Sequence, residues 1–206
     1  MDYHTMRCLL AIALFVSLPS SGLIAAATNG AATVPTNKRS GWSLPSGTTA
    51  LVTGGTKGIG KAIVDELSSS FGCTILTCSR NEDELTERLE EWRGNGMDVR
   101  GVVADVSTPD GRRALVEKLK EILGPEGRLD ILVNNVGTNI RRKTVEYSEG
   151  ELEFILRTNF VSMFELTKMC HPFLKRTKDM TELGEGEVPA TSSVVNVGSV
   201  AGGTCM

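Results

Sequence analysis

Phenols are nearly absent from this chain of 206 residues: aromatic residues make up 5% of it, and only Tyr3 and Tyr147 are tyrosines. Chemistry that needs a tyrosine therefore has two places to find one. Acids are missing from a long opening stretch, with none between Asp2 and Asp65. No strong basic excess exists either. A net charge of −3 and a pI near 5.5 exclude a nucleic-acid-binding face. The five cysteines, Cys8, Cys73, Cys78, Cys170 and Cys205, form no Cys-x-x-Cys pair, so no zinc pattern or other metal site is expected. Cys73 and Cys78, five apart on one expected strand, point to opposite faces, do not pair, and read as small buried hydrophobes. The sequence holds no internal repeat. At 40% hydrophobic and 23% charged, it has material for one globular domain.

The longest apolar run is Cys8–Leu18, too short to span a bilayer comfortably. Arg7 precedes it, Pro19-Ser20-Ser21-Gly22 breaks it, and Ala25-Ala26-Ala27 offers small-residue cleavage sites. Residues 1–27 thus have the layout of a signal peptide, or of a membrane anchor if the run extends through Leu23-Ile24. Residues 28–41 are rich in Thr, Ala and Asn and read as a linker. An acid-free, hydroxyl-rich stretch behind a signal peptide also resembles the two-part leaders of complex plastids. Entry to the secretory pathway, ending in the endoplasmic reticulum, outside the cell or in a plastid, is the expectation. The globular domain is expected over 42–206.

That domain is organised around Thr49–Lys61, TALVTGGTKGIGK. A short apolar strand breaks at Gly54-Gly55 and re-enters helix-forming sequence at Gly60, the parts of a phosphate-binding strand–turn–helix unit. Two motifs compete here. Gly55–Lys61 reads G-x-x-x-x-G-K, but Ala62 stands where a Walker loop has the Ser or Thr that holds Mg²⁺. Gly54-x-x-x-Gly58-x-Gly60 is a variant of the dinucleotide fingerprint, with Thr56, Lys57 and Ile59 in the turn.

The remaining sequence separates them. Helix is expected over Ile59–Ser70, strand over Cys73–Cys78, a charged amphipathic helix over Asn81–Asn95 with Leu85, Leu89 and Trp92 inward, and strand over Asp98–Ala104. Helix follows at Asp110–Leu123, strand at Leu129–Val133, helix from Ser148 to about Lys178, a loop over Thr177–Thr191, and strand at Ser193–Val197. Five strands alternating with four helical regions imply a parallel sheet covered on both faces, with ligand residues just past the strand C-termini. The polar clusters Gly54–Gly60, Ser79-Arg80, Asp105, Asn134-Asn135 and Ser199 all fall there. Arg80 stands 20 residues after Gly60, where an Asp or Glu would take the ribose 2′-hydroxyl of NAD and an Arg pairs with the 2′-phosphate of NADP. Ser79 and Asn81 flank it, and Lys57 adds a second cation. Asp105 and Val106 fall at the adenine edge, although Asp105 also reads as a cap for the turn that follows.

TGGTKGIG, CSRN, ADV, NNVG, TNF and VNVGS stand in the order and spacing of the short-chain dehydrogenases/reductases, which the chain resembles from about Trp42 to Cys205. WSL before the first strand and NNVGTNIRRKTVEYS are similar to the tropinone-reductase-like subgroup of plants. The resemblance implies a Rossmann-type doubly wound α/β sheet and hydride transfer between NADP(H) and a small carbonyl or alcohol substrate. It implies that Ser199 orients the carbonyl oxygen, that Asn159 holds a water of the proton relay, and that Asn135 and Gly137 line the coenzyme. Read alone, such an Asn can bond nearby backbone and such a Ser can cap a turn. One departure is Val136, where the wider family usually has Ala.

The larger departure concerns the proton donor. The family pattern has Tyr-x-x-x-Lys about a dozen residues beyond its serine, but this sequence ends seven residues after Ser199. Tyr147 has Glu151, not Lys, at the fourth place after it, and Tyr3 lies in the leader. The expectation is therefore the N-terminal part of a longer, homo-oligomeric reductase, missing its tyrosine helix and last strands. Alone it would be inactive. A non-catalytic NADP-binding remnant is the alternative.

Overall fold

The computed structural model describes residues 43–125, 127–174 and 191–199. The leader, the linker and most of the Thr177–Thr191 loop lie outside the described residues. The order is β1 (Thr49–Thr53), α1 (Gly58–Ser69), β2 (Thr74–Ser79), α2 (Glu82–Gly94), β3 (Val99–Val103), α3 (Pro109–Leu123) and β4 (Ile131–Asn134). A 3₁₀ turn (Thr144–Glu146), α4 (Glu149–Leu156), a π-helical turn (Arg157–Val161), α5 (Ser162–Leu174) and β5 (Ser193–Asn196) follow. No helix among the described residues is long and apolar enough to cross a membrane.

The five strands form one parallel sheet in the order β3-β2-β1-β4-β5. β1 and β2 are buried through their centres because helices cover both faces, so their sequences are near-continuous apolar runs. The period of two divides the core. Leu51, Leu76, Cys78 and Leu132 face Leu115, Val116 and Leu119 of α3 and Leu166 and Cys170 of α5. Ala50, Val52, Ile75 and Val133 face Ile63 and Val64 of α1 and Trp92 of α2. The fold is a doubly wound Rossmann-type sheet, as expected from the alternating pattern.

Helix starts follow local chemistry. Asn81 accepts from the Glu84 N–H, Thr108 accepts from the Gly111 N–H with Pro109 in the first turn, and Ser148 and Glu151 form a reciprocal capping box. Asp130, at the start of β4, accepts from the backbone N–H of Thr49 at 2.8 Å and from the Arg128 guanidinium at 3.0 Å. This pins the β1–β4 register at the end of the sheet opposite the strand C-termini.

Three expectations change. Cys73 lies just before β2 rather than within it, yet it and Cys78 are buried in the two opposite cores, as the alternation requires. The strands and first helix shift by a residue or two at their ends. The helical region expected from Ser148 is present as α4, the π turn and α5 in unbroken succession, the π turn being the feature not expected, and residues 175–178 lie outside the described residues. An apolar pattern read at helical spacing does not register one extra residue in a turn.

Candidate coenzyme site

β1 ends at Thr53, and the glycine turn leaves it beside the end of β2, where the Gly54 N–H donates to the Cys78 carbonyl at 3.1 Å. Gly54 has φ +69° and Gly58 φ +56°, a backbone that side-chain-bearing residues adopt at a cost. At Gly60 the constraint is space: a Cβ would stand 2.1 Å from the Gly54 carbonyl oxygen and 2.5 Å from Asn135 Nδ2. The turn thus lies flat on the start of α1.

α1 opens without a side-chain cap and without an acid in its first turn. Its Ncap, Lys57, has extended backbone and offers its amides no side-chain acceptor. Uncapped amides at the positive end of a helix dipole suit an anion. Two threonines hold the turn behind it. Thr77 Oγ1 accepts from the Gly55 N–H at 2.9 Å and donates to the Val52 carbonyl at 2.7 Å. Thr53 Oγ1 accepts from the N–H groups of Asn135 and Val136 at 2.9 and 3.1 Å. Both look like ordinary β-formers in the sequence, and only the strand pairing reveals them.

Asn135 closes the cleft between β1 and β4. Its Nδ2 donates to the Thr53 carbonyl at 2.9 Å and the Gly54 carbonyl at 3.2 Å. Val136 packs over Gly54, since a Cβ on Gly54 would meet its Cγ2 at 2.9 Å. Gly137 follows, and a Cβ there would lie 3.7 Å from Asn159 Oδ1. Asn159, in the π turn, accepts from the Thr138 N–H and donates to the Thr138 carbonyl, both at 2.7 Å. The structure thus brings Asn135, Gly137 and Asn159 together, and it spends the Asn159 side chain on backbone.

Ser79, Arg80 and Asn81 occupy the end of β2 and the start of α2. Ser79 Oγ accepts from the Asn81 N–H at 3.2 Å, and Arg80 is exposed. Lys57 is paired: its Nζ lies 3.2 Å from Glu84 Oε2 in α2. Asp105, past β3, accepts from the Ser107 N–H at 2.9 Å, so its carboxylate does cap the turn. The Val106 side chain is buried, and its carbonyl accepts from the buried Arg112 guanidinium at 2.7 Å. Ser199 lies past the C-terminal end of β5 and is exposed. Asn134 of β4 ties that strand in, donating to Asn196 Oδ1 at 2.9 Å and to Thr167 of α5 at 3.2 Å. Among the described residues no cluster of His, Cys, Asp and Glu is arranged to hold a metal.

The glycine turn, Ser79–Asn81, Asp105, Asn135–Gly137 and Ser199 stand on the rim past the C-terminal ends of the parallel strands, and the glycine turn and Asn135 flank the point where the strand order reverses between β1 and β4. That rim is where doubly wound sheets bind dinucleotides. The short chain dehydrogenase family model matches residues 48–205. The chain belongs to the short chain dehydrogenase family.

Relatives of this short chain dehydrogenase include a tropinone reductase homologue of Arabidopsis thaliana, 45% identical over 82% of the chain and 61% of that protein. A second homologue from the same plant, named as chloroplastic, is 45% identical over 78% of the chain and 45% of that protein. The chain therefore spans 61% or less of the length of these relatives. Among solved structures, the RhlG/NADP active-site complex of Pseudomonas aeruginosa matches with a TM-score of 0.64 and 33% identity, over 78% of this chain and 57% of that one. L-sorbose reductase of Gluconobacter frateurii, complexed with NADPH and L-sorbose, matches with a TM-score of 0.56 and 31% identity, over 61% and 47%.

Proposed function

We propose that this dehydrogenase domain binds NADP(H), and that it forms the coenzyme-binding part of a reductase acting on a small carbonyl or alcohol substrate. The observation that carries the reading is Arg80, exposed directly after β2 and beside the glycine turn. A guanidinium there meets a 2′-phosphate with a planar pair of donors, which NAD does not offer. The residues fit such a coenzyme: the turn at Gly54, Gly58 and Gly60 leaves α1's amides open to a pyrophosphate, and any Cβ at Gly60 would strike the Gly54 carbonyl. Ser79 and Asn81 order the strand end around Arg80. Asp105 and Val106 form the adenine edge, and Asn135 and Gly137 the nicotinamide side. The neighbours complexed with NADP and NADPH support this reading.

Bound NADPH supplies a hydride to a carbonyl carbon. Ser199 donates a hydrogen bond to the carbonyl oxygen and fixes its orientation as charge develops on it. Asn159 holds the backbone at Thr138 and, through it, the wall that a relay water would bond to. The alkoxide needs a proton, and neither tyrosine of these 206 residues has a lysine four places on. The function proposed for these 206 residues is therefore coenzyme binding, with proton donation left to a Tyr-x-x-x-Lys that they do not include.

Titration of NADP⁺ and NAD⁺ into the wild type and Arg80→Ala tests the coenzyme. Loss of charge-assisted bonds weakens NADP⁺ by about 10- to 100-fold, with NAD⁺ little changed. Equal weakening of both would refute the 2′-phosphate role of Arg80.

A further inference from the structure

The start of α2 departs from its own sequence pattern. Asn81 at the Ncap and Glu84 three residues on have the spacing of a capping box, in which the glutamate carboxylate turns back to the Ncap N–H. Ser148 and Glu151 form that box in full at α4. At α2 only half of it forms. The Glu84 N–H donates to Asn81 Oδ1 at 3.0 Å, but the Asn81 N–H donates to Ser79 Oγ instead. The Glu84 carboxylate is released from its own helix and turned across to the glycine turn.

There it meets two residues. Oε2 takes the Lys57 ammonium at 3.2 Å. Oε1 is shielded from solvent without a well-formed hydrogen bond, and the Thr56 hydroxyl is the group nearest in effect. Thr56, and after it Lys57, hold the carboxyl below its usual range against the cost of desolvation, so it is an anion at neutral pH. The Lys57 side chain is 81% exposed and that of Glu84 only 25%. The carboxylate is therefore the sheltered partner and the ammonium the solvent-facing one.

We infer that Glu84 is a specificity-determining counter-anion, which holds Lys57 away from an incoming 2′-phosphate and sets how far NADP(H) is preferred. This rests on the reading of Arg80 as the phosphate ligand. Arg80, Lys57 and Glu84 share one rim, because the Gly54–Cys78 bond sets the glycine turn against the end of β2. A phosphate bound at Arg80 competes with Glu84 for Lys57 and is repelled by the carboxylate. NAD(H), with a neutral ribose at that place, competes with neither. Glu84 therefore acts on one coenzyme and not the other, which a residue that merely tethers α2 to the turn would not do.

The test is calorimetric titration of NADP⁺ and NAD⁺ into the full 206-residue chain and into Glu84→Gln, Lys57→Ala and the double variant, with thermal midpoints as the check on folding. Glu84→Gln is expected to tighten NADP⁺ by about three- to tenfold, to leave NAD⁺ within about twofold, and to lose its effect when Lys57 is already alanine. Glu84→Asp keeps the charge but withdraws it from Lys57, and it shifts NADP⁺ in the same direction by less. Unchanged or weaker NADP⁺ binding in Glu84→Gln, or an equal gain for NAD⁺, overturns the role of Glu84 and leaves the reading of Arg80 standing. A wild type that binds no NADP⁺ removes that reading, and this inference with it.

Discussion

Gly60 shows how little room a single residue leaves at the site. A methyl group there would have to displace both the Gly54 carbonyl, which is backbone, and the Asn135 amide, which two hydrogen bonds hold in place. Gly60→Ala is therefore expected to destabilise the fold by about 1–3 kcal/mol and to weaken either coenzyme, read as a lower thermal midpoint and a flat titration. Charge acts at the same scale. The backbone N–H and hydroxyl of Ser148, then Arg142, hold the Glu151 carboxyl below its ordinary value of 4.5, and Thr56 and Lys57 do so for Glu84. Both folded values lie below the unfolded ones. Their contribution is complete above pH 4.5 and is lost as pH falls through the folded values. The thermal midpoint should thus fall on acidification below that point, and fall less steeply in Glu151→Gln. A wild type and variant with the same acid limb would contradict this.

The elements around the site were unequally legible. The cap and first-turn proline at Thr108-Pro109 and the inward stripe of Leu85 and Trp92 follow from residue type and spacing alone, and the structure has them, whereas Asn81, read as the first residue of its helix, is the cap before it. Thr53, Thr77 and Glu84 were not readable as site residues. A threonine in a strand looks like any β-former, and a glutamate at the third helical position looks like half a capping box, until a second strand is laid beside it. The π turn was hidden for a different reason: Arg157–Val161, RTNFV, carries no glycine or proline and reads like any other stretch of helix. Its content is testable. Asn159 brackets Thr138 by two hydrogen bonds across 21 residues of sequence. In Asn159→Ala the Thr138 amide should exchange about tenfold faster, with the β4 amides unchanged. Unaltered exchange at Thr138 would mean that the contact carries no free energy.

Over the whole molecule, the sheet presents β5 at one edge, with Val194 41% and Val197 36% exposed beside it. Among the described residues nothing pairs with that edge, and an edge of this kind is a place for another strand. Two hollows of about 410 and 450 Å³ lie against α4 and α5, and neither includes a glycine-turn residue. These 206 residues, supplied with NADPH and a ketone, are expected to oxidise coenzyme about 10²–10⁴-fold more slowly than a reductase that carries Tyr-x-x-x-Lys, the usual worth of a general acid. Ordinary steady-state turnover by these 206 residues would defeat that expectation.

The strand order also governs how the protein comes into being. β1 finds β2 with Thr49 opposite Thr74, but it finds β4 only with Ala50 opposite Ile131. On the ribosome, one flank of β1 is therefore covered early, while the other waits for α2, β3 and α3 to be made. At about 5–20 residues per second, that wait lasts several seconds. Through it the nascent chain carries Ala50, Leu51 and Val52, destined to be among the most buried residues, on a half-paired strand. The length of chain between β2 and β4, and not the stability of the finished sheet, sets how long that flank of β1 waits for its partner.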